Sequence, residues 1–309
     1  MRGIYLVANR KSEVFCENLV YSIRRSRCTL PIRLIPFGGE RVRAKSLLSE
    51  VEIVEVQDFP AEARHFIDEL SVLLDDCPRG YLYRFLGWFG DWDEFIYSDN
   101  DIVALTSWES IFQHLDRNDV VHADEEYTTQ GRFNYDEPQE VERVFGKDAL
   151  LSAFTAGHFA SCSRPEMVQD MRKAIEWFRQ NPSVPKKHDQ ALLHIASLIG
   201  SWKMLNLCKP PHNWLSSWAG DYENSLALIQ AMQSDETRRI SHLHFSGGTP
   251  LGTEPISDLL NSNLDPSQRM AHLTKLGLSH LSGWNAVRQH SRRVKNGLRR
   301  RFADDLGRK

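Results

Sequence analysis

Short apolar runs alternate with longer stretches of helical spacing through the first half of the chain. Ile4-Tyr5-Leu6-Val7 is the first predicted strand. Ser12 stands where an N-cap belongs, ahead of a helix expected from Glu13 to about Arg25 with Val14, Leu19 and Ile23 on its apolar side. Two further strands are expected at 32–35 and 51–56, the second by its strict alternation. After Pro60, residues 61–74 have helical spacing, and 81–88 reads as another helix. The strand Glu94-Phe95-Ile96-Tyr97 follows and ends at Ser98-Asp99-Asn100-Asp101.

Beyond that point the spacing predicts a strand at 119–123. A polar, acidic stretch over 124–142, carrying Tyr127, Phe133 and Tyr135, is a candidate lid or an inert surface loop. A strand over 154–163 is interrupted at Gly157, and Pro165 opens a helix running to Arg179. A turn through 181–185 delivers a helix beginning near His188-Asp189-Gln190. The last strand is expected at 240–245, broken by Gly247-Gly248-Thr249-Pro250. Strands alternating with helices are the signature of α/β architecture.

Composition adds a size and a partition. With 309 residues, 41% of them hydrophobic, the chain can bury a large core. No apolar run reaches the roughly 18 residues of a membrane-spanning helix, and the start lacks a signal-peptide layout, so a cytoplasmic protein is expected. Cys16, Cys28, Cys77, Cys162 and Cys208 are scattered and form no C-x-x-C pair, which points to neither a disulfide framework nor a zinc site. The net charge of -3 is uneven: residues 285–309 hold nine basic and two acidic residues, net +7, leaving -10 for the rest. Val287, Val294, Leu298, Phe302 and Leu306 recur there at helical spacing. Such a basic amphipathic tail fits either a peripheral contact with an anionic inner-membrane surface or a solvated helix. Nucleic acid is not favoured, because no nucleic-acid reading motif is present.

The chemistry concentrates at strand ends. Asp99 and Asp101 converge if the backbone turns at Asn100, and converging oxygen ligands suit Mg²⁺ or Mn²⁺. The same residues also make an ordinary Asx turn. His244 ends an apolar strand beside a Gly-Gly turn, where an imidazole can complete a metal shell or simply hydrogen-bond. Asp189 opens a helix, where a carboxylate either caps or faces a ligand hydroxyl. Gly157 within a strand marks a bulge or the close approach of a ligand.

The order of these features resembles glycosyltransferase family 8 and its GT-A relatives: Tyr83-Arg84, Tyr97-x-Asp99-Asn100-Asp101, Phe154-x-Ala156-Gly157, His188-Asp189-Gln190 and His244-Phe245-x-Gly247, across about residues 3–252. The resemblance implies a GT-A-type α/β domain over 1–252, a single Rossmann-like mixed sheet flanked by helices, with a helical connector over 253–284 and the basic helical tail over 285–309. It implies a metal-dependent transferase that moves a sugar from a nucleoside diphosphate donor, uridine above all, to a glycan or lipid-linked acceptor, with retention. By the same resemblance Asp99, Asp101 and His244 hold Mn²⁺ or Mg²⁺. Ala8, Asn9, Arg84, Asp99, Asn100, Ala156, Gly157, Gly247 and Gly248 bind the donor, while Asp189 and Gln190 position the sugar and stabilise charge. Three positions depart from the family pattern: Asn9-Arg10-Lys11 replaces an acidic residue after the first strand, Thr155 replaces an asparagine, and no lysine follows Gly247-Gly248. Lys11, Lys186 and Lys187 are then candidates for the diphosphate contact. The rival readings are a sugar nucleotidyltransferase, which the lack of a glycine-rich loop after the first strand disfavours, and a non-catalytic relative that binds nucleotide sugar or glycan.

Overall fold

The computed structural model describes residues 1–39, 41–123, 131–222, 230–231 and 239–245. The expected connector and basic tail, Gly247, Gly248 and Tyr127 lie outside these residues. The chain opens with β1 (Arg2–Ala8), α1 (Glu13–Arg25), β2 (Ile32–Pro36), α2 (Lys45–Leu48), β3 (Glu52–Ile53), α3 (Ala61–Leu73) and α4 (Arg79–Leu82). It continues through β4 (Glu94–Ser98), β5 (Ile102–Ala104), β6 (Val120–His122), α5 (Pro138–Phe145), β7 (His158–Cys162), α6 (Pro165–Gln180), α7 (Asp189–Ile199), β8 (Met204–Asn206) and β9 (His242–His244).

Seven strands form one mixed sheet in the order β3-β2-β1-β4-β7-β6-β8. β1 runs parallel to β2 and β4, while β7 is antiparallel to both β4 and β6. β1 is buried from Gly3 to Ala8 because both faces are covered. Ile4, Leu6 and Ala8 face Cys16, Leu19, Val20 and Ile23 of α1, and Tyr5 and Val7 face the core beneath α3, α6 and α7. The strand order reverses at β1, which has β2 on one side and β4 on the other. In an open α/β sheet such a reversal leaves a crevice outside the carboxyl ends of those strands, the usual ligand site. A separate antiparallel pair, β5 with β9, sits after β4 and brings Ile102 opposite His244.

Several expected elements are corrected. The alternating stretch at 51–56 pairs only as Glu52–Ile53 before a 3₁₀ turn, Val56–Asp58, because it lies at the sheet edge with one neighbour. Residues 81–88 are the end of α4 and a 3₁₀ run, Tyr83–Phe89. The strand expected over 154–163 pairs only from His158, since Gly157 breaks away to bond Asp99. Ser12 makes no side-chain cap to α1; its hydroxyl accepts from the Asn9 N–H, and Asn9 Oδ1 accepts the N–H groups of Lys11 and Ser12. The described part of the expected lid is structured: it holds a 3₁₀ turn, Gly131–Asn134, and most of α5. Tyr135 is buried there, so it cannot serve as a lid residue.

Tyr135 is held by a buried histidine. The carbonyl of Ala149 only accepts, so His194 Nε2 carries the proton toward it at 3.1 Å and Nδ1 accepts from Tyr135 Oη at 2.6 Å. Burial pushes this imidazole down to about 4 from its ordinary 6.5, the Ala149 contact opposing. The unfolded chain therefore takes up a proton near pH 6.5 while the folded one resists until about pH 4. The stability tied to neutral His194 is complete above the higher value and is lost as pH falls through the window, about 3 kcal/mol at most. Urea unfolding at pH 7 and pH 4.5 is expected to show this loss, and His194→Gln to reduce it; equal slopes with pH in both proteins would refute the assignment.

Candidate active site

Three side chains from distant parts of the chain meet at the crevice. Asp99 and Asp101 follow the carboxyl end of β4, and His244 closes β9; one ligand atom from each lies within 4.8 Å of the others. The turn between the two aspartates is pinned by Asn100, whose Nδ2 donates to the Val7 carbonyl of β1 at 2.7 Å. His244 is placed by its backbone: its N–H donates to Ser217 O at 2.7 Å, and the next N–H, of Phe245, donates to Asp101 O at 2.9 Å. His244 Nε2 then stands 3.5 Å from Asp101 Oδ1.

Electrostatics separate the two carboxylates. Burial pushes Asp99 upward, and the charge on Asp101 adds to this against the pull of Arg84. Burial opposes ionisation of Asp101 too, but His244 outweighs it and holds that carboxyl below the usual range. Two carboxylates and an imidazole form a donor set for a hard or borderline divalent cation. The fit is also steric. A Cβ on Gly157 would collide with His244 Cε1 and lie 3.0 Å from its Nε2 and 3.2 Å from Asp99 Oδ2, so only glycine leaves that gap open.

Arg84 lies behind the cluster and is almost wholly buried. Its Nη2 donates to Asp99 Oδ1 at 3.3 Å, Nη1 donates to the Ala156 carbonyl, and Nε donates to Tyr81 O at 2.9 Å while lying 2.8 Å from Asp189 Oδ2. Burial works against its charge, but Asp189 and Asp99 overcome this and raise its pKa. Arg84, expected at the donor, is thus engaged by Tyr81, Ala156, Asp99 and Asp189.

Asp189 is the buried partner of that guanidinium, and the cap of α7 is made instead by His188, whose Nδ1 accepts from Ala191 N–H. Gln190 Oε1 is buried without a hydrogen-bond partner. Ala8 is enclosed in the core and Asn9 is occupied by its turn, while their neighbours Val7 and Ser12 line the cavity. Lys187 pairs with Asp75 at 2.9 Å and Lys186 sits over the Phe133 ring, which leaves Lys11 as the candidate lysine next to the cavity residue Ser12.

A cavity of about 290 Å³ adjoins Asp99, Asn100 and Asp101, with Phe15, Phe37, Tyr81 and Tyr97 on its walls. Phe37 separates it from a second cavity of about 320 Å³ lined by Gly38, Gly39, Arg41 and Gln57. Sequence reasoning gave these aromatic residues no role. Tyr97 was legible, since two positions before Asp99 on a strand puts both on one face, and its hydroxyl donates to Asp99 Oδ1 at 2.6 Å. Phe15 and Phe37 carry no local signal.

No family model and no curated protein matches the chain. Solved structures do. The galactosyltransferase LgtC, in complex with donor and acceptor sugar analogues, gives a TM-score of 0.52 at 14% identity, covering 88% of this chain and 96% of LgtC. The bifunctional glycosyltransferase WbbM gives 0.50 at 12% identity over 84% of this chain; the chain spans 49% of WbbM, about half its length. The apo form of the glycosyltransferase GlyE from Streptococcus pneumoniae TIGR4 gives 0.50 at 11% identity, over 89% of this chain and 64% of GlyE. The fold is thus that of the GT-A glycosyltransferases, as the order of motifs implied. Among the described residues no helix is long and apolar enough to cross a membrane.

Proposed function

We propose that the chain is a glycosyltransferase that moves a sugar from a nucleoside diphosphate donor, uridine by the motif resemblance, to a glycan or lipid-linked acceptor, with a divalent cation and with retention. The observation that carries this reading is the meeting of Asp99, Asp101 and His244 at the strand-order reversal, beside a cavity walled by aromatic rings. These three residues hold Mn²⁺ or Mg²⁺, which supplies a positive charge against the diphosphate as the anomeric bond breaks.

The remaining roles belong to the chain. The aromatic walls take the nucleoside end of the donor, giving it apolar and stacking contact. Asn100 ties the aspartates to β1, so the ligand atoms are positioned before donor arrives. Gln190 directs its free carbonyl oxygen at the donor sugar and stabilises its positive character. Asp189 is committed to Arg84 and is not a free nucleophile. Lys11 takes the diphosphate contact that no lysine after Gly247-Gly248 provides. The tail at 285–309 serves an acceptor carried on a membrane surface.

Calorimetric titration of UDP, GDP, CDP and ADP, each with and without Mn²⁺, tests the reading. Binding of UDP that requires Mn²⁺, followed by release of UDP from a UDP-sugar in the presence of acceptor, is the expected result. Failure of every nucleotide and nucleotide sugar to bind with Mn²⁺ present would remove it.

A further inference from the structure

The charges around Arg84 do not balance. Asp99, Asp101 and Asp189 set three carboxylates around the one guanidinium of Arg84, with His244 beside Asp101, an acid-rich cluster of the kind that draws a divalent cation. The guanidinium is also not shared equally, since it stands 2.8 Å from Asp189 and 3.3 Å from Asp99. Asp99 Oδ1 accepts from both Arg84 and the Tyr97 hydroxyl, whereas Oδ2 takes no donor among the described residues and faces the gap left by Gly157.

We propose that Asp189 acts on the cation site through Arg84: by holding the guanidinium on the α7 side, it keeps Arg84 from closing onto Asp99 and leaves Oδ2 to the metal. Asp189 and Arg84 are then positioning residues that set cation affinity. The inference rests on the reading of Asp99, Asp101 and His244 as cation ligands. Its physical basis is competition between a fixed cation and a bound one for the same carboxylate. With Asp189 neutral, the full charge of Arg84 is answered only by Asp99, and the guanidinium displaces the metal's hold. Arg84 has no route out to water, because Ala156 O and Tyr81 O fix its other edges and it is stacked 4.9 Å from the Tyr97 ring. Removing both charges together takes away the competitor and leaves Asp99 free again.

The test is Mn²⁺ affinity, read by electron paramagnetic resonance of the free ion in titrations of the whole chain, with the KM for nucleotide sugar measured alongside. Asp189→Asn is expected to weaken Mn²⁺ binding about tenfold, the scale seen when groups that orient a metal's ligands are changed. The double variant Arg84→Met with Asp189→Asn is expected to return to within about threefold of the parent, a coupling that a merely structural role would not produce. It removes the buried guanidinium together with the charge of Asp189, so it carries the test even if Asp189→Asn melts below the assay temperature. Unchanged Mn²⁺ affinity in Asp189→Asn with a raised KM would overturn the proposal in favour of direct sugar contact. A double variant as weak as the single one would overturn it as well. Absence of Mn²⁺ binding by the parent would instead overturn the cation-site reading, and this inference with it.

Discussion

Asp101→Ala is expected to abolish measurable Mn²⁺ binding and to lower sugar transfer roughly 10²- to 10³-fold, the scale lost when a preorganised contact to developing charge is removed. Ligand count and charge set the size of the effect. Asp101 contributes one of three clustered ligand atoms and is the carboxylate that His244 holds ionised. The fold does not need its side chain, because the turn is built by the backbone bond from Phe245 N–H to Asp101 O and by Asn100 on Val7 O. Loss of the like charge beside Asp99 also relieves repulsion, so the melting temperature without metal is expected to hold or rise. Nucleoside diphosphate release that survives the substitution would exclude the metal role of Asp101.

Gly157→Ala carries the second large expectation, a loss of about 10²-fold in turnover with a weakened Mn²⁺ site, from one methyl group. The new Cβ meets His244 Cε1 at once and crowds His244 Nε2 and Asp99 Oδ2 at 3.0 and 3.2 Å. His244 has little room to retreat: Ile102 opposes it across β5–β9, and its N–H is fixed on Ser217 O. Asp99 is held as firmly, since its own N–H donates to Gly157 O at 2.7 Å. The strain therefore falls on the ligand geometry, where misplacement by about 1 Å costs on the order of 10²-fold. Stability is expected to drop by about 1–3 kcal/mol, the usual cost of overpacking. Titration with Mn²⁺ and a thermal melt separate the two effects, and an unaltered Mn²⁺ affinity would show that the gap at Gly157 is not part of the site.

Both predictions concern contacts that cross long stretches of chain, and the same distinction runs through the rest of the molecule. The β1-α1-β2 unit, α3, α6 and the start of α7 follow from the sequence by itself, because apolar periodicity, Pro165 at a first helical turn and the length of each run are local properties. The turn at Asp99-Asn100-Asp101 was legible for the same reason, as Asx residues at a strand end. The short pieces were not. β5 and β8 are three residues each, too few to show a period, and the strand expected at 51–56 lost its pairing to its place at an edge.

Chemical identity divides in the same way. The sequence placed two carboxylates, a histidine and a glycine in an order that resembles GT-A transferases, and nothing in that order says which atoms meet. Only the tertiary structure decided that β5–β9 carries His244 to the aspartates, that Gly157 is the gap between them, and that Arg84 joins Asp99, Asp189 and Ala156 behind the cluster. The physical reason is range. Helix and strand signals repeat within a few residues, whereas an ion pair or a ligand set depends on strand order and on which side chains the core leaves facing one another, and no local pattern encodes that.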